Sequence, residues 1–178
     1  MPICVFYLGY DPSVGRNVAL CNDSDLIRAY AYLMGDDDGD GRTLAQETNT
    51  RVVNMSLGSY VADAGGEDKA LEDVIDKAAD QGVLTVAAGG NGDAYGNART
   101  DKSEPSDFDS VVSVTAVDSA NANPSWSDYN AYKDLTAPGV DIWSTWYVGD
   151  RYACNSGLLM PWRPKCCFCR CANKSLVN

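Results

Sequence analysis

Residues 51–88 constrain the architecture more than any other part of the chain. RVVNMSLG (51–58) is a short apolar run suited to a buried strand. EDKALEDVIDKAADQG (67–82) places Leu71, Val74, Ile75, Ala78 and Ala79 on one helical face. Acidic residues start that segment and Gly82 stands at its C′ position, as helix ends require. VLTVAA (83–88) is again a continuous apolar run, the pattern of a strand covered on both faces. Strand, helix and strand with short connections make a βαβ unit, so the two strands are expected to run parallel with a right-handed crossover.

The remaining segments extend that scheme. SDLIRAYAYLM (24–34) has Leu26, Ile27, Ala29, Tyr30, Leu33 and Met34 at helical spacing, with Asn22, Asp23 and Ser24 available as N-caps. VVSVTAV (111–117) supplies a third strand rich in β-branched residues. Before it lies a long polar loop, GGNGDAYGNARTDKSEPSDFD (89–109), and loops of that length between core strands are usually functional or mobile. From WSDYNAYKD to LTAPGVDIWSTW the pattern is mixed, with strand-like pieces broken by Pro138 and Gly139. The expected class is α/β, a mostly parallel sheet with flanking helices.

Charge excludes two classes of partner. Against 25 acidic residues stand 14 basic ones, so the chain lacks the basic footprint that nucleic acid or an anionic membrane surface requires. No apolar run approaches the roughly 18 residues of a membrane span. MPICVFYLGYDPS has no basic n-region and reads as a poor signal peptide. The chain contains no histidine, which closes any mechanism using imidazole as general base unless a partner supplies it.

The loop DDDGDGRTLAQE (36–47) carries a separate signal. Asp36, Asp38 and Asp40 occupy positions 1, 3 and 5 of a twelve-residue calcium loop, with Gly41 at 6 and Glu47 at 12. Hard oxygen ligands at that spacing suit calcium. Thr43 stands at position 8, where an aliphatic residue is usual, and LAQETNT is a weak exiting helix. The alternative is a solvated acidic turn.

Four segments, in order, resemble the subtilisin-like serine proteases. VVNMSLG (52–58) is similar to that family's strand for holding substrate in extended form. VLTVAAGGNG (83–92) is similar to the strand and loop bearing its oxyanion-hole asparagine. PSDFDSVVSVTAVD (105–118) matches the strand approaching the substrate pocket, and LTAPGVDIWST (135–145) the segment shortly before the nucleophile. The resemblance implies a partial subtilisin-like fold, peptide or protein as substrate, and an extracellular setting. It implies that Asn91 donates to a tetrahedral oxyanion, where a fixed donor favours the transition state over the ground state. Taken alone, Asn91 in a Gly-Gly-Asn-Gly sequence is equally a turn former. Ser56, Leu57 and Gly58 match one wall of the primary pocket, and Ala88, Gly89 and Gly90 the other. Glycines there let a substrate backbone pair closely, although tight internal packing asks for the same residues. Glu104 precedes Pro105 where the family has an aromatic residue. It either sets a carboxylate near the pocket floor, favouring basic side chains, or points to water.

The departures from the family matter as much. The triad aspartate and histidine belong to segments upstream of those matched here. After Asn155-Ser156-Gly157 the family continues with its nucleophile serine, whereas this chain reads Leu158-Leu159-Met160-Pro161, with Leu159 at the nucleophile's place. An isobutyl group cannot attack a carbonyl. The expectation is therefore a partial catalytic domain over 1–157, with the acidic loop as an insertion. A divergent tail follows over 158–178, disordered or out of frame, containing Cys166, Cys167, Cys169 and Cys171. That tail is otherwise a thiolate cluster for a soft metal. Such a fragment is expected to be inactive alone. The competing reading is a non-catalytic calcium-binding or interaction module. Neither reading fixes an oligomeric state.

Overall fold

The computed structural model describes residues 3–11, 15–93, 95–146 and 151–155. The chain divides into two compact units, Met1–Val53 with Asp68–Thr85, and Asn54–Glu67 with Val86–Asn178.

The first unit opens with an antiparallel hairpin, β1 (Tyr7–Asp11) and β2 (Arg16–Leu20), in register from Tyr7↔Leu20 to Asp11↔Arg16. Helix α1 (Asp23–Leu33) buries Leu26, Tyr30 and Leu33, the spacing of one helical face. Asn22 is its N-cap, but the side chain donates to the Asp25 carboxylate (3.3 Å) instead of capping the backbone. Helix α2 (Leu44–Glu47) is short and closed by a capping box between Thr43 and Gln46. Strand β3 (Val52–Met55) passes from the first unit into the second. There β4 (Ser59–Tyr60) and the short α3 (Val61–Ala64) follow it. Helix α4 (Lys69–Asp80), back in the first unit, forms where the apolar period predicts. One Asp68 carboxylate oxygen accepts the N–H groups of Ala70 and Leu71, both at 3.0 Å. At its other end Gly82 (φ 80°) donates to Ala79 and Val83 to Ala78, the paired bonds of a Schellman stop. Leu71, Ile75 and Ala78 are buried where α4 packs on α1. The Tyr30 hydroxyl meets Thr85 Oγ1 at 2.6 Å in the same core, and burial pushes the phenol up to about 12.

Strand β5 (Leu84–Ala88) is buried from Thr85 onward without alternation, as a strand covered on both faces must be. The second unit continues with β6 (Ser103–Glu104), β7 (Val111–Val117), β8 (Leu135–Pro138), β9 (Ile142–Trp146) and β10 (Arg151–Asn155). The main sheet has strand order β3-β5-β7-β8 and is mostly parallel, as expected. Its β7/β8 pair runs parallel from Val114↔Leu135 to Val117↔Pro138. Pro138 ends β8. Gly139 then packs so closely on Ala116 that a Cβ would lie 2.6 Å from the alanine methyl.

Two features depart from the sequence expectation. Residues 89–109 are not a plain loop, because β6 within them pairs antiparallel with β4. The strand-like pieces expected on either side of Pro138 and Gly139 are β8 and β9, whereas the antiparallel pairing of β9 with β10 was not anticipated. Among the described residues, no helix is long and apolar enough to cross a membrane.

Candidate functional site

In open α/β sheets, ligand sites form where neighbouring strands end at their carboxyl edge. Strands β3 and β5 are neighbours, and each leaves the sheet into one of the segments singled out above. Ser56, Leu57 and Gly58 connect β3 to β4, and Ser56 and Leu57 are half-buried. Ala88 ends β5, followed by buried Gly89 and half-buried Gly90, Asn91 and Gly92. All of these belong to the second unit.

The glycines here are set by internal contacts. A Cβ on Gly58 would stand 2.7 Å from the Glu104 carbonyl oxygen, where β4 and β6 pair. A Cβ on Gly89 would meet Thr115 Cγ2 at 2.6 Å and Lys133 Cδ at 3.3 Å. Gly90 has φ 117°, and a Cβ there would fall 1.9 Å from Asp128 Oδ2. The tight-packing reading therefore holds at all three positions, whatever else they contact.

Glu104 is 4% exposed, which overturns the reading in which it points to water. It joins Pro105 through a cis peptide bond and pairs with Ser59 across β4 and β6. The neighbouring Ser103, Ser106 and Asp107 belong to a buried polar group that sequence reasoning missed. Lys133 Nζ donates to Asp107 Oδ1 (2.5 Å), Ser103 Oγ (2.9 Å) and Ser106 Oγ (3.0 Å), which uses all three ammonium protons. Asp107 Oδ2 accepts from the Ser103 N–H (2.9 Å) and Asn130 Nδ2 (2.8 Å). The pair is nearly sealed from water, with side chains 6% and 0% exposed. An ammonium so fully occupied fixes residues 103–107 in place and has no donor left for a ligand.

A second missed residue is Asp128, buried at 2% exposure. Its carboxylate accepts the Tyr60 hydroxyl (2.5 Å) and the Arg99 backbone N–H (2.7 Å). Burial, then the hydrogen bond to Asp128, push the Tyr60 phenol well above its ordinary range. The Arg99 guanidinium lies 3.7 Å over the Tyr60 ring and pairs with Asp63 (2.7 Å) and Asp101 (2.9 Å). Nothing in the types or spacing of Asp107 and Asp128 announces their burial. The only signal is that both lie in polar stretches flanking core strands.

In the first unit, Asp36, Asp38 and Asp40 bring one carboxylate oxygen each within 4.8 Å of the others. The loop is folded around them. Asp36 accepts the Gly39 and Gly41 N–H groups (2.8 and 2.9 Å), Asp38 that of Asp40, and Asp40 that of Arg42. Gly39 and Gly41 both take positive φ. Glu47 is the last residue of α2 and stands outside this close group of three. Desolvation, then the fields of Asp38 and Asp40, raise its carboxyl above the ordinary value. Hard, converging oxygen donors of this kind fit calcium.

Ser156, Leu159 and the cysteine tail lie outside the described residues.

The subtilase family model matches residues 14–160. A thermophilic serine proteinase of Bacillus sp. (strain AK1) is 36% identical over 124 residues, covering 70% of this chain and 28% of that protein. A subtilisin of Bacillus pumilus is 33% identical over 153 residues, covering 86% of this chain and 51% of its own length. The crystal structure of a cold-adapted subtilisin-like serine proteinase superposes with a TM-score of 0.57 at 29% identity, covering 80% of this chain and 44% of that one. This chain thus spans about half or less of the relatives it matches. With a family model over most of its length and relatives in agreement, the chain belongs to the subtilase family.

Proposed function

We propose that this chain is the substrate-holding part of a subtilisin-like serine endopeptidase, and that these 178 residues alone do not hydrolyse peptide bonds. The observation that carries the reading is the delivery of Ser56–Gly58 and Ala88–Asn91 from the ends of adjacent sheet strands. An extended peptide would lie between these segments, and its carbonyl oxygen would receive the Asn91 side-chain amide. In the complete enzyme a serine activated by histidine and aspartate would form an acyl-enzyme. The chain holds no histidine and has Leu159 at the nucleophile's place, so that step has no residues here. The setting is extracellular by likeness to the subtilisins, and the substrate a peptide or protein.

Glu104 is proposed as the acidic group near the pocket floor, because the Lys133 ammonium bonded to the neighbouring Ser103 and Ser106 is already neutralised by Asp107. The test uses full-length chain with ¹⁵N-labelled asparagine and the peptide acids acetyl-Ala-Ala-Pro-Lys and acetyl-Ala-Ala-Pro-Glu. The Asn91 side-chain amide signal is expected to shift, with the lysine peptide bound roughly tenfold more tightly, about 1.4 kcal/mol. No shift with either peptide would remove the binding reading; equal affinities would remove only the role of Glu104.

The acidic loop favours a second property, calcium binding by Asp36, Asp38 and Asp40 with Glu47 as a further ligand. A divalent cation would offset three carboxylates held close together and stabilise the loop. Calorimetry at millimolar calcium is expected to show binding and a raised Tm, with affinity at least about tenfold lower in Asp36→Asn. Absence of heat together with an unchanged Tm would sink it.

A further inference from the structure

Asn91 has a glycine on each side, and the carbonyl groups of these two glycines are held by two residues, one through its backbone and one through its side chain. The Gly90 carbonyl accepts the Asp128 N–H at 3.3 Å. The Gly92 carbonyl lies 3.3 Å from the Tyr60 hydroxyl. Tyr60 has one phenolic proton, and the shorter contact sends it to Asp128 Oδ2, leaving Gly92 a weaker second acceptor. Asp128 Oδ2 also fills the space beneath Gly90, which the left-handed φ of that residue leaves open.

Each member of the pair is itself held. The other Asp128 oxygen takes the Arg99 backbone N–H. Tyr60 follows the Ser56–Gly58 segment by two residues and pairs with Ser103 across β4 and β6. Its ring lies under an Arg99 guanidinium that two carboxylates keep in place. One buried carboxylate and one phenol therefore join the end of the substrate-strand segment to the loop that carries Asn91.

We infer that Asp128 and Tyr60 are positioning residues for Asn91, holding the glycines on either side of it so that the side-chain amide keeps one orientation toward a bound peptide carbonyl or carboxylate. The inference rests on the reading of Asn91 as the oxyanion donor. A donor aimed at developing charge acts only if it is fixed beforehand, and a loop with glycine on both sides of Asn91 does not fix itself. The pair contacts the loop and takes no part in the chemistry.

The test compares wild type with Tyr60→Phe and Asp128→Asn in full-length chain, using the acetyl-Ala-Ala-Pro-Lys acid and the ¹⁵N signal of the Asn91 amide. Tyr60→Phe keeps the ring under Arg99 and removes only the hydroxyl. Asp128→Asn keeps the shape, but its amide cannot accept from both Tyr60 and Arg99. Binding is expected to weaken roughly threefold in Tyr60→Phe and roughly tenfold in Asp128→Asn. The peptide-induced shift of the Asn91 amide should shrink in both, while the rest of the spectrum stays dispersed and native. A merely structural pair would change stability and leave that shift alone. If Asp128→Asn does not fold, Tyr60→Phe decides the matter. Wild-type affinity and wild-type Asn91 shifts in folded variants would overturn the inference while leaving the site reading intact. A wild-type chain whose Asn91 amide ignores the peptide would overturn both.

Discussion

Replacing Asp107 by alanine is expected to cost about 3–5 kcal/mol, the range for breaking a buried ion pair from one side. The substitution leaves the Lys133 ammonium, 6% exposed, with two serine hydroxyls and no countercharge. Lys133→Met should be milder, because Asp107 keeps the Ser103 N–H, the Ser106 hydroxyl and the Asn130 amide as donors. A loss of about 1–3 kcal/mol is expected there. Urea unfolding at unchanged m-value measures both. The asymmetry is the informative result. Equal losses, or a loss below about 1 kcal/mol in Asp107→Ala, would mean that water reaches the pair. The consequence for function follows from position, since residues 103–107 include Glu104 and the Lys133 stem lies against Gly89. Loosening the pair should therefore blur any preference between lysine and glutamate peptides.

Gly90→Ala is expected to cost about 2–5 kcal/mol, combining a strained φ with overpacking. The new methyl would stand 1.9 Å from Asp128 Oδ2 and 2.8 Å from its Cγ. That carboxylate cannot swing away without giving up Tyr60 and the Arg99 N–H. Gly96 provides the control within the same unit. Its φ of 81° is also left-handed, but nothing lies within 4 Å of a Cβ there. Gly96→Ala should thus cost only the backbone term, about 1–2 kcal/mol. Thermal unfolding of the two variants separates clash from strain. Similar losses would show that Asp128 does not press on Gly90.

The parts of the fold that were legible in the sequence are those whose signal is local and periodic. Helix α4 follows from Leu71, Ile75 and Ala78 at helical spacing, with Gly82 stopping it. Strand β7 appears at the expected residues, and β5 within one residue, because short apolar runs rich in β-branched residues and bounded by polar or glycine-containing segments read as buried strands. The β4/β6 pair was not legible. Two residues on each side carry no period, and their pairing joins positions more than forty apart in the chain. The candidate site divides in the same way. Asn91, Gly58 and Gly90 stand in recognisable motifs, whereas Asp107, Asp128 and Lys133 are charged residues in polar stretches, where exposure is the ordinary expectation. Only the fold brings each to its partners. Glu104 shows the same limit, since its burial comes from pairing with Ser59 and not from its own chemistry.

Family membership and catalytic competence are proposed to part company in this chain. The 178-residue chain incubated with a fluorophosphonate probe, followed by intact mass and peptide mapping, tests that directly. The expected result is no covalent adduct on any serine, Ser156 included, and no release from a chromogenic peptide substrate under the same conditions. A stoichiometric adduct on one serine, with hydrolysis that the probe abolishes, would contradict it.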